Sequence, residues 1–404
     1  MKICYLCSDL GIPVGGNKGC STYIRSLIKE WNLLGHEVVL ITPSAKECMD
    51  IGATLVPIPP SDTFETVLSE TRKQKNHENL RLIQALGHIW HNMAVEDVLK
   101  ETLASFQPDF IYERYSPFGV AGGAIAREMN IPYLLQFNSP LAWEGTTYRN
   151  QALPEVAEFL ENIACTSAPL IVTTCQELKD TLVSMGVNET KVKIVPCGAD
   201  SDLFKTEGPS YIEQFNGKFV IGFVGSLKLW HGLEILSKTF KQLAADPHYH
   251  LLIVGDGPMM KDLRSLNDEL PGRVTLTGSM PQEEVPKYIR AMDISVAPYP
   301  ELERFYFSPI KILESMAAGC PVVASRIGQI PELIQNNETG ILVPPGNVKA
   351  LVDTIQELAK DKNQLKILGT NAASEIRERH TWKHRAENIL DFAQKGKPES
   401  ILSN

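Results

Sequence analysis

Short apolar runs bounded by turn residues alternate with helical segments along the chain, in two series separated by a stretch that breaks the rhythm. Alternation of this kind closes as a parallel sheet, because each helix carries the chain back to the start of the next strand. The first series opens with KICYLCS, a glycine-rich loop GIPVGGNKGCS, the helical TYIRSLIKEWNLLG and the strand HEVVLITP. It continues through PDFIYERYS, IPYLLQFNS and APLIVTTC to KVKIVPCGAD at residues 191–200. Residues 201–218, SDLFKTEGPSYIEQFNGK, carry two glycines and one proline without a strand pattern and mark a linker. FVIGFVGSL, HLLIVGDGP, RVTLTGSM, MDISVAPYP, PVVASRIG and GILVPPG then restart the series. The expected fold class is α/β, with two doubly wound domains of similar size.

Composition narrows the partners. With 404 residues, 43% hydrophobic and 22% charged, the chain can bury large cores, and a formal net charge of −9 argues against an extended nucleic-acid surface while leaving small anions in play. No apolar run approaches the roughly 18 residues of a membrane span, and the opening MKICYLCSDLG is too short for a signal-peptide core, so the cytoplasm is the default expectation. Eight cysteines, at 4, 7, 20, 48, 165, 175, 197 and 320, sit mostly in apolar segments, as reduced thiols do. Cys4 and Cys7 are three apart on a strand and so face opposite sides, which favours buried thiols over a redox pair. Residues 60–101 read as one or two amphipathic helices. Their basic end offers contact with an anionic lipid or acceptor, but a solvated face is the preferred reading.

The densest chemistry lies in SPIKILESMAAGCPVVAS, residues 308–325. Ser308 suits an N-cap and Pro309 a first helical position, which puts Ile310, Lys311 and Ile312 in a first turn with outward amides. Lys311 adds charge to the helix end, and Glu314 lies on the same face one turn deeper. Gly319 stops the helix before the next strand. At the carboxyl ends of a parallel sheet, such a pair would hold a diphosphate and a ribose or sugar hydroxyl; the alternative is an internal Lys–Glu pair.

In order and spacing, GFVGSLKLWHGLEIL (222–236), LLIVGDGP (251–258), VTLTGSMPQEEVPKYIRAMDISVAPYP (274–300) and the segment 308–347 resemble the retaining glycosyltransferases of family four, which have the GT-B fold. GGNKGCSTYIRSLIKEWNLLGHEVVLITP, ERYSP, NSPLAWE and KVKIVPCGADSDLF are similar to that family's acceptor-side domain, and RHTWKHRAENIL to its closing helix. The resemblance implies two Rossmann-like domains facing across a cleft. They are an acceptor-side domain of residues 1–200, joined by a crossing helix at about 382–404, and a donor-binding domain of residues 201–381. It implies a nucleotide-diphosphate sugar as donor and an unidentified hydroxyl acceptor, on a small molecule, a glycan or a lipid. No cofactor and no metal are expected. The implied donor contacts are Gly16 and Gly19 in the first loop, Gly225, Ser226, Lys228 and His231, Gly255 and Gly257, Gly278, and Ser308, Pro309, Ile310, Lys311 and Glu314. Lys311, Glu314, Asn138 and Glu144 form the implied catalytic set, with Glu113 and Arg114 as further acceptor-side candidates.

Departures from the family pattern are as informative. Where the family often has a first glutamate, this chain has Tyr306, with Glu301 and Glu303 nearby. The family's frequent arginine and lysine after the first donor-domain strand correspond to Ser226 and His231, so diphosphate binding must lean on Lys311, Lys228 and backbone amides. A common histidine is replaced by Asn138, within an N-x-P-L-x-x-E pattern that ends at Glu144.

The glycines at 15, 16 and 19 suit either a close approach to ligand or an ordinary turn. His88 and His91, and His248 and His250, lack the partners of a metal site. Retention of configuration allows a carboxylate nucleophile or a leaving phosphate that takes the acceptor proton on the same face; the second is preferred, for want of a clear acceptor-side carboxylate. Two other classes stay open: a GT-B isomerase such as a nucleotide-sugar epimerase, and a non-catalytic sugar- or partner-binding relative. A dehydrogenase is disfavoured, because no G-x-G-x-x-G follows the first strand.

Overall fold

The computed structural model describes residues 1–16, 18–45, 51–60, 62–73, 77–215 and 217–395. Cys48, Asn216 of the linker, and the part of the expected closing helix beyond Lys395 lie outside them. The chain divides into two compact units, Met1–Pro196 together with the residues from Arg385 on, and Cys197–His384.

The first unit is built on seven parallel strands: β1 (Lys2–Leu6), β2 (Glu37–Thr42), β3 (Thr54–Pro57), β4 (Phe110–Arg114), β5 (Tyr133–Phe137), β6 (Leu170–Thr173) and β7 (Val192–Ile194). Their order is β3-β2-β1-β4-β5-β6-β7, with Ile3 of β1 in register with Val38 on one side and Phe110 on the other. Runs such as FIYER and EVVLIT are largely buried on both faces because helices cover both. Tyr5, Trp31 and Tyr112 meet edge to face with ring centroids 5.2–6.0 Å apart, and Trp31 donates through Nε1 to the Ala386 carbonyl at 3.4 Å. That bond ties the helix Trp382–Lys395 to the helix Gly19–Leu33.

The second unit repeats the plan with β8 (Phe219–Val224), β9 (Tyr249–Val254), β10 (Val274–Leu276), β11 (Ile294–Ala297), β12 (Val322–Ser325) and β13 (Ile341–Val343), in the order β10-β9-β8-β11-β12-β13. Ile221, Phe223, Leu236, Phe240, Leu251 and Ile355 anchor its core. In each sheet the strand order reverses beside the first strand of the series, between β1 and β4 and between β8 and β11. Doubly wound sheets bind ligands at such a switch point, outside the carboxyl ends of the strands. Two doubly wound domains are therefore present, as the alternation predicted. β3 is an addition to the expected strands. Within 60–101 the described residues hold two helices, Asp62–Lys73 and His77–Phe106, the second running on past residue 101.

Candidate functional site

In the second unit the loops after β8, β9 and β10 turn at Gly225, Gly255 and Gly257, and Gly278, and they lie against one another. Gly225 donates its N–H to the Val254 carbonyl (2.9 Å) and Gly255 to that of Gly278 (3.0 Å). Gly255 has φ +139°, and a Cβ there would stand 2.1 Å from the Gly225 carbonyl oxygen. Loop packing thus demands this glycine before any ligand is considered.

The helix Ile310–Ala317 starts one step later than its sequence predicts. Pro309, not Ser308, occupies the cap position, and Ser308 uses its Oγ to accept from the Cys197 N–H at 3.3 Å. Pro309 accepts from Ile312 through its carbonyl (2.9 Å), and Ile310 turns its N–H back to the Ser308 carbonyl (3.0 Å). Two of the expected outward amides are therefore used internally, and the positive character of this helix end rests on Lys311.

Lys311 Nζ lies 4.4 Å from the centre of the Phe223 ring and 5.2 Å from that of Tyr299, is covered, and has no hydrogen-bond partner. Burial pushes its pKa down to about 7, and the ring faces only partly replace the lost water. Burial, reinforced by the charge of Asp200, raises Glu314 to about 8. Both side chains keep some accessible surface. Because Nζ is unpartnered, the alternative of an internal Lys311–Glu314 ion pair fails. The two groups stand on one short helix without neutralising each other.

His231 donates through Nδ1 to the Ser226 carbonyl at 2.6 Å. Burial first, then Lys311 and Lys228, pushes its pKa down to about 3. It is a neutral imidazole and does not replace the family's cation at that position. Lys228 sits over the Trp230 ring at 5.8 Å, and Trp230 stacks on Phe307 with centroids 6.1 Å apart and planes within 10°. Tyr306 is buried beside Phe307, while Glu301 and Glu303 are exposed. The neighbourhood of the missing glutamate is thus an aromatic wall. Phe223, Tyr299 and Asp200 complete this site; all three fall within segments that resemble the family, but none sits in a charge or spacing pattern that singles it out.

In the first unit a small pocket opens at the carboxyl ends of β1, β4 and β5, lined by Asp9, Arg114, Tyr115, Asn138, Ser139 and Leu141. Arg114 Nη1 and Asn138 Oδ1 are both buried without partners, one a donor and the other an acceptor. A hydroxyl can accept from the one and donate to the other. Glu144 lies in the first turn of the helix Leu141–Arg149 and accepts from Arg149 at 2.9 Å. Glu113 is fully interior: it accepts from the Tyr133 hydroxyl at 2.6 Å, faces Gly122, and is raised by burial to about 7. Its contacts are interior, and of that pair only Arg114 lines the pocket. Glu161, not singled out in the sequence, is raised to about 7 by burial and accepts from the Ala142 N–H at 3.0 Å, steadying the same helix start.

Gly16 donates to the Pro13 carbonyl at 2.8 Å and accepts from Arg25 at 2.6 Å, and Gly19 begins the helix Gly19–Leu33. A Cβ at Gly16 would stand 3.0 Å from Pro13 Cγ, which favours the ordinary-turn reading. Among the described residues no group of three or more His, Cys, Asp or Glu side chains is placed to hold a metal ion, and no helix is long and apolar enough to cross a membrane.

Residues 218–361 match the family described as Glycosyl transferases group 1, and residues 17–203 match Glycosyltransferase Family 4. A sulfoquinovosyl transferase of Arabidopsis thaliana is 27% identical over 312 residues, 74% of this chain and 59% of that protein. A 2-deoxystreptamine glucosyltransferase of Streptomyces kanamyceticus is 26% identical over 258 residues, 60% of this chain and 65% of that protein. The chain therefore spans less than two thirds of the length of both curated relatives. Anabaena HepE, solved in complex with UDP, superimposes with a TM-score of 0.71 at 19% identity, covering 98% of this chain and all of that one, and shares the fold.

Proposed function

Because the chain belongs to the family-four glycosyltransferases, with two Rossmann-like domains of the GT-B type, we propose that it transfers a sugar from a nucleotide-diphosphate sugar to a hydroxyl acceptor. The observation that carries this reading is Lys311, an ammonium buried at a helix start with no partner. A buried unpaired cation is costly to the free protein, and a diphosphate supplies the missing counter-charge. The HepE complex with UDP supports a nucleotide donor for this fold.

Breaking the sugar–diphosphate bond builds positive charge at the anomeric carbon and negative charge on the leaving phosphate. Lys311, assisted by Lys228, stabilises that phosphate, and Glu314 holds ribose or sugar hydroxyls. Asn138 Oδ1 and Arg114 Nη1 orient the hydroxyl that attacks or one beside it. Transfer proceeds with retention, the leaving phosphate accepting the proton of the incoming hydroxyl on the same face. No metal takes part, since lysine charge serves the phosphate.

The test is a panel of nucleotide-sugars screened by thermal shift, then transfer or hydrolysis of the binder. A ligand at about 100 times its Kd raises stability by about 2.7 kcal/mol. A panel in which no nucleoside diphosphate sugar shifts the transition, with Lys311→Ala indistinguishable from the parent, refutes the reading. A binder that is neither hydrolysed nor transferred points to the non-catalytic alternative, and interconversion of its sugar to the epimerase.

A further inference from the structure

A second concavity in the first unit has no part in the chemistry above. It is a groove of about 250 Å³ between the helices Asp62–Lys73 and His77–Phe106, opening beside the loop that follows β1. Phe64 lies so close on the long helix at Gly87 that a Cβ there would meet its Cζ at 2.0 Å, which accounts for a glycine in mid-helix. Leu10, Trp90 and Met93 form the walls and are 49%, 53% and 60% exposed. Large apolar side chains exposed around one concavity mark a binding surface rather than a solvated face.

The polar lining has one sign. Glu65 and Asp97 are exposed at the groove and have neither an ion pair nor a hydrogen bond among the described residues. His91 keeps Nε2 covered and unpartnered, and burial holds its pKa below the ordinary imidazole value, so it adds no positive charge. No lysine or arginine is among the described lining residues. Two carboxylates beside an exposed indole face suit a cation with an apolar body.

The groove is also joined by sequence to the polar pocket, since Asp9 lines the pocket and the next residue, Leu10, lines the groove. We infer that the groove binds the body of the acceptor and that the acceptor is a cationic amphiphile, an apolar ring or chain bearing an amine, whose hydroxyl reaches Asn138 and Arg114. This rests on the transferase reading.

The experiment titrates the full chain with octylamine, octanol and octanoate, below the concentrations at which they aggregate, and follows tryptophan fluorescence, to which Trp90 contributes. Octylamine should bind saturably and about fivefold to tenfold more tightly than octanol, with octanoate weakest, as two partly exposed carboxylates and one indole face provide. The double variant Glu65→Gln/Asp97→Asn should lose the preference for the amine yet keep octanol binding, and Trp90→Ala, at an exposed position, should weaken both. Equal affinity for octylamine and octanol in the parent, or no saturable binding of octylamine, overturns the inference. The same protein is titrated in parallel with the nucleotide-sugar panel. Nucleotide binding without amine binding sinks the acceptor class alone, whereas amine binding without any nucleotide binding overturns the acceptor role together with the donor reading.

Discussion

Replacing Lys311 by methionine should make the free protein more stable while weakening its affinity for a diphosphate. Methionine keeps most of the stem that packs against Phe223 and Tyr299 and deletes the unpartnered ammonium. The drop in lysine pKa from 10.5 to about 7 is worth roughly 4–5 kcal/mol, at about 1.4 kcal/mol for each tenfold change in proton affinity. The accessible part of the side chain reduces this to roughly 2–3 kcal/mol. The sign follows from proton counting. Between about 7 and 10.5 the unfolded chain holds more protons on this lysine than the folded one, so stability rises with pH through that window. The cost is fully present below it and gone above it. Chemical denaturation near pH 6 should therefore show Lys311→Met more stable than the parent by roughly 2–3 kcal/mol, with the difference fading toward about pH 10. Nucleoside diphosphate affinity should fall by roughly tenfold to a hundredfold, as for a charge-assisted bond of about 1.5–3 kcal/mol. A variant that is less stable than the parent at low pH, or that binds diphosphate unchanged, would refute the reasoning.

Three further outcomes are expected. Glu314 is raised from 4.5 to about 8, so the folded chain holds the extra proton and stability falls as pH rises across that window; Glu314→Gln should flatten that fall in a pH series of melting curves and slow transfer by roughly tenfold to a hundredfold, with free inorganic diphosphate binding unchanged. Gly16→Val should lower stability by roughly 1–3 kcal/mol because a side chain there crowds the Pro13 ring and carbonyl, and an unshifted melting temperature would return the residue to a ligand-approach role. Activity should survive a strong chelator, and complete loss rescued by magnesium or manganese would contradict the charge-only account of the leaving phosphate.

Both sheets were legible because a parallel sheet covered on both faces writes each strand as an uninterrupted apolar run, and FVIGFV and the LLIV of β9 carry that signature plainly. The edge strand β3 was not, since TLVP is short and partly exposed and so lacks the run that marks its neighbours. Lys311 and Glu314 could be picked from spacing, but whether they cancelled each other depended on Phe223, Tyr299 and Asp200, which arrive from distant elements. Spacing reports a shared helix face and is silent about what stands opposite. Ser308 illustrates the same limit, because its residue type suits a cap and only the nearby Cys197 amide draws it away. Glu113 looked available for chemistry in ERYSP, and a tyrosine 20 residues on, at the start of β5, makes it part of the interior.

The bond from Trp31 to Ala386 has a consequence for how the molecule is made. The first unit recruits its last helix from beyond the second, so residues 1–196 leave the ribosome with Trp31 still lacking that cover. All of Cys197–His384 must be synthesised before the helix arrives, roughly ten to forty seconds at about 5–20 residues per second. Throughout that interval the nascent domain presents the apolar seam that Ala386, Ile389 and Ala393 will close, a surface suited to a chaperone. A stop codon placed after the second unit would make that interval permanent.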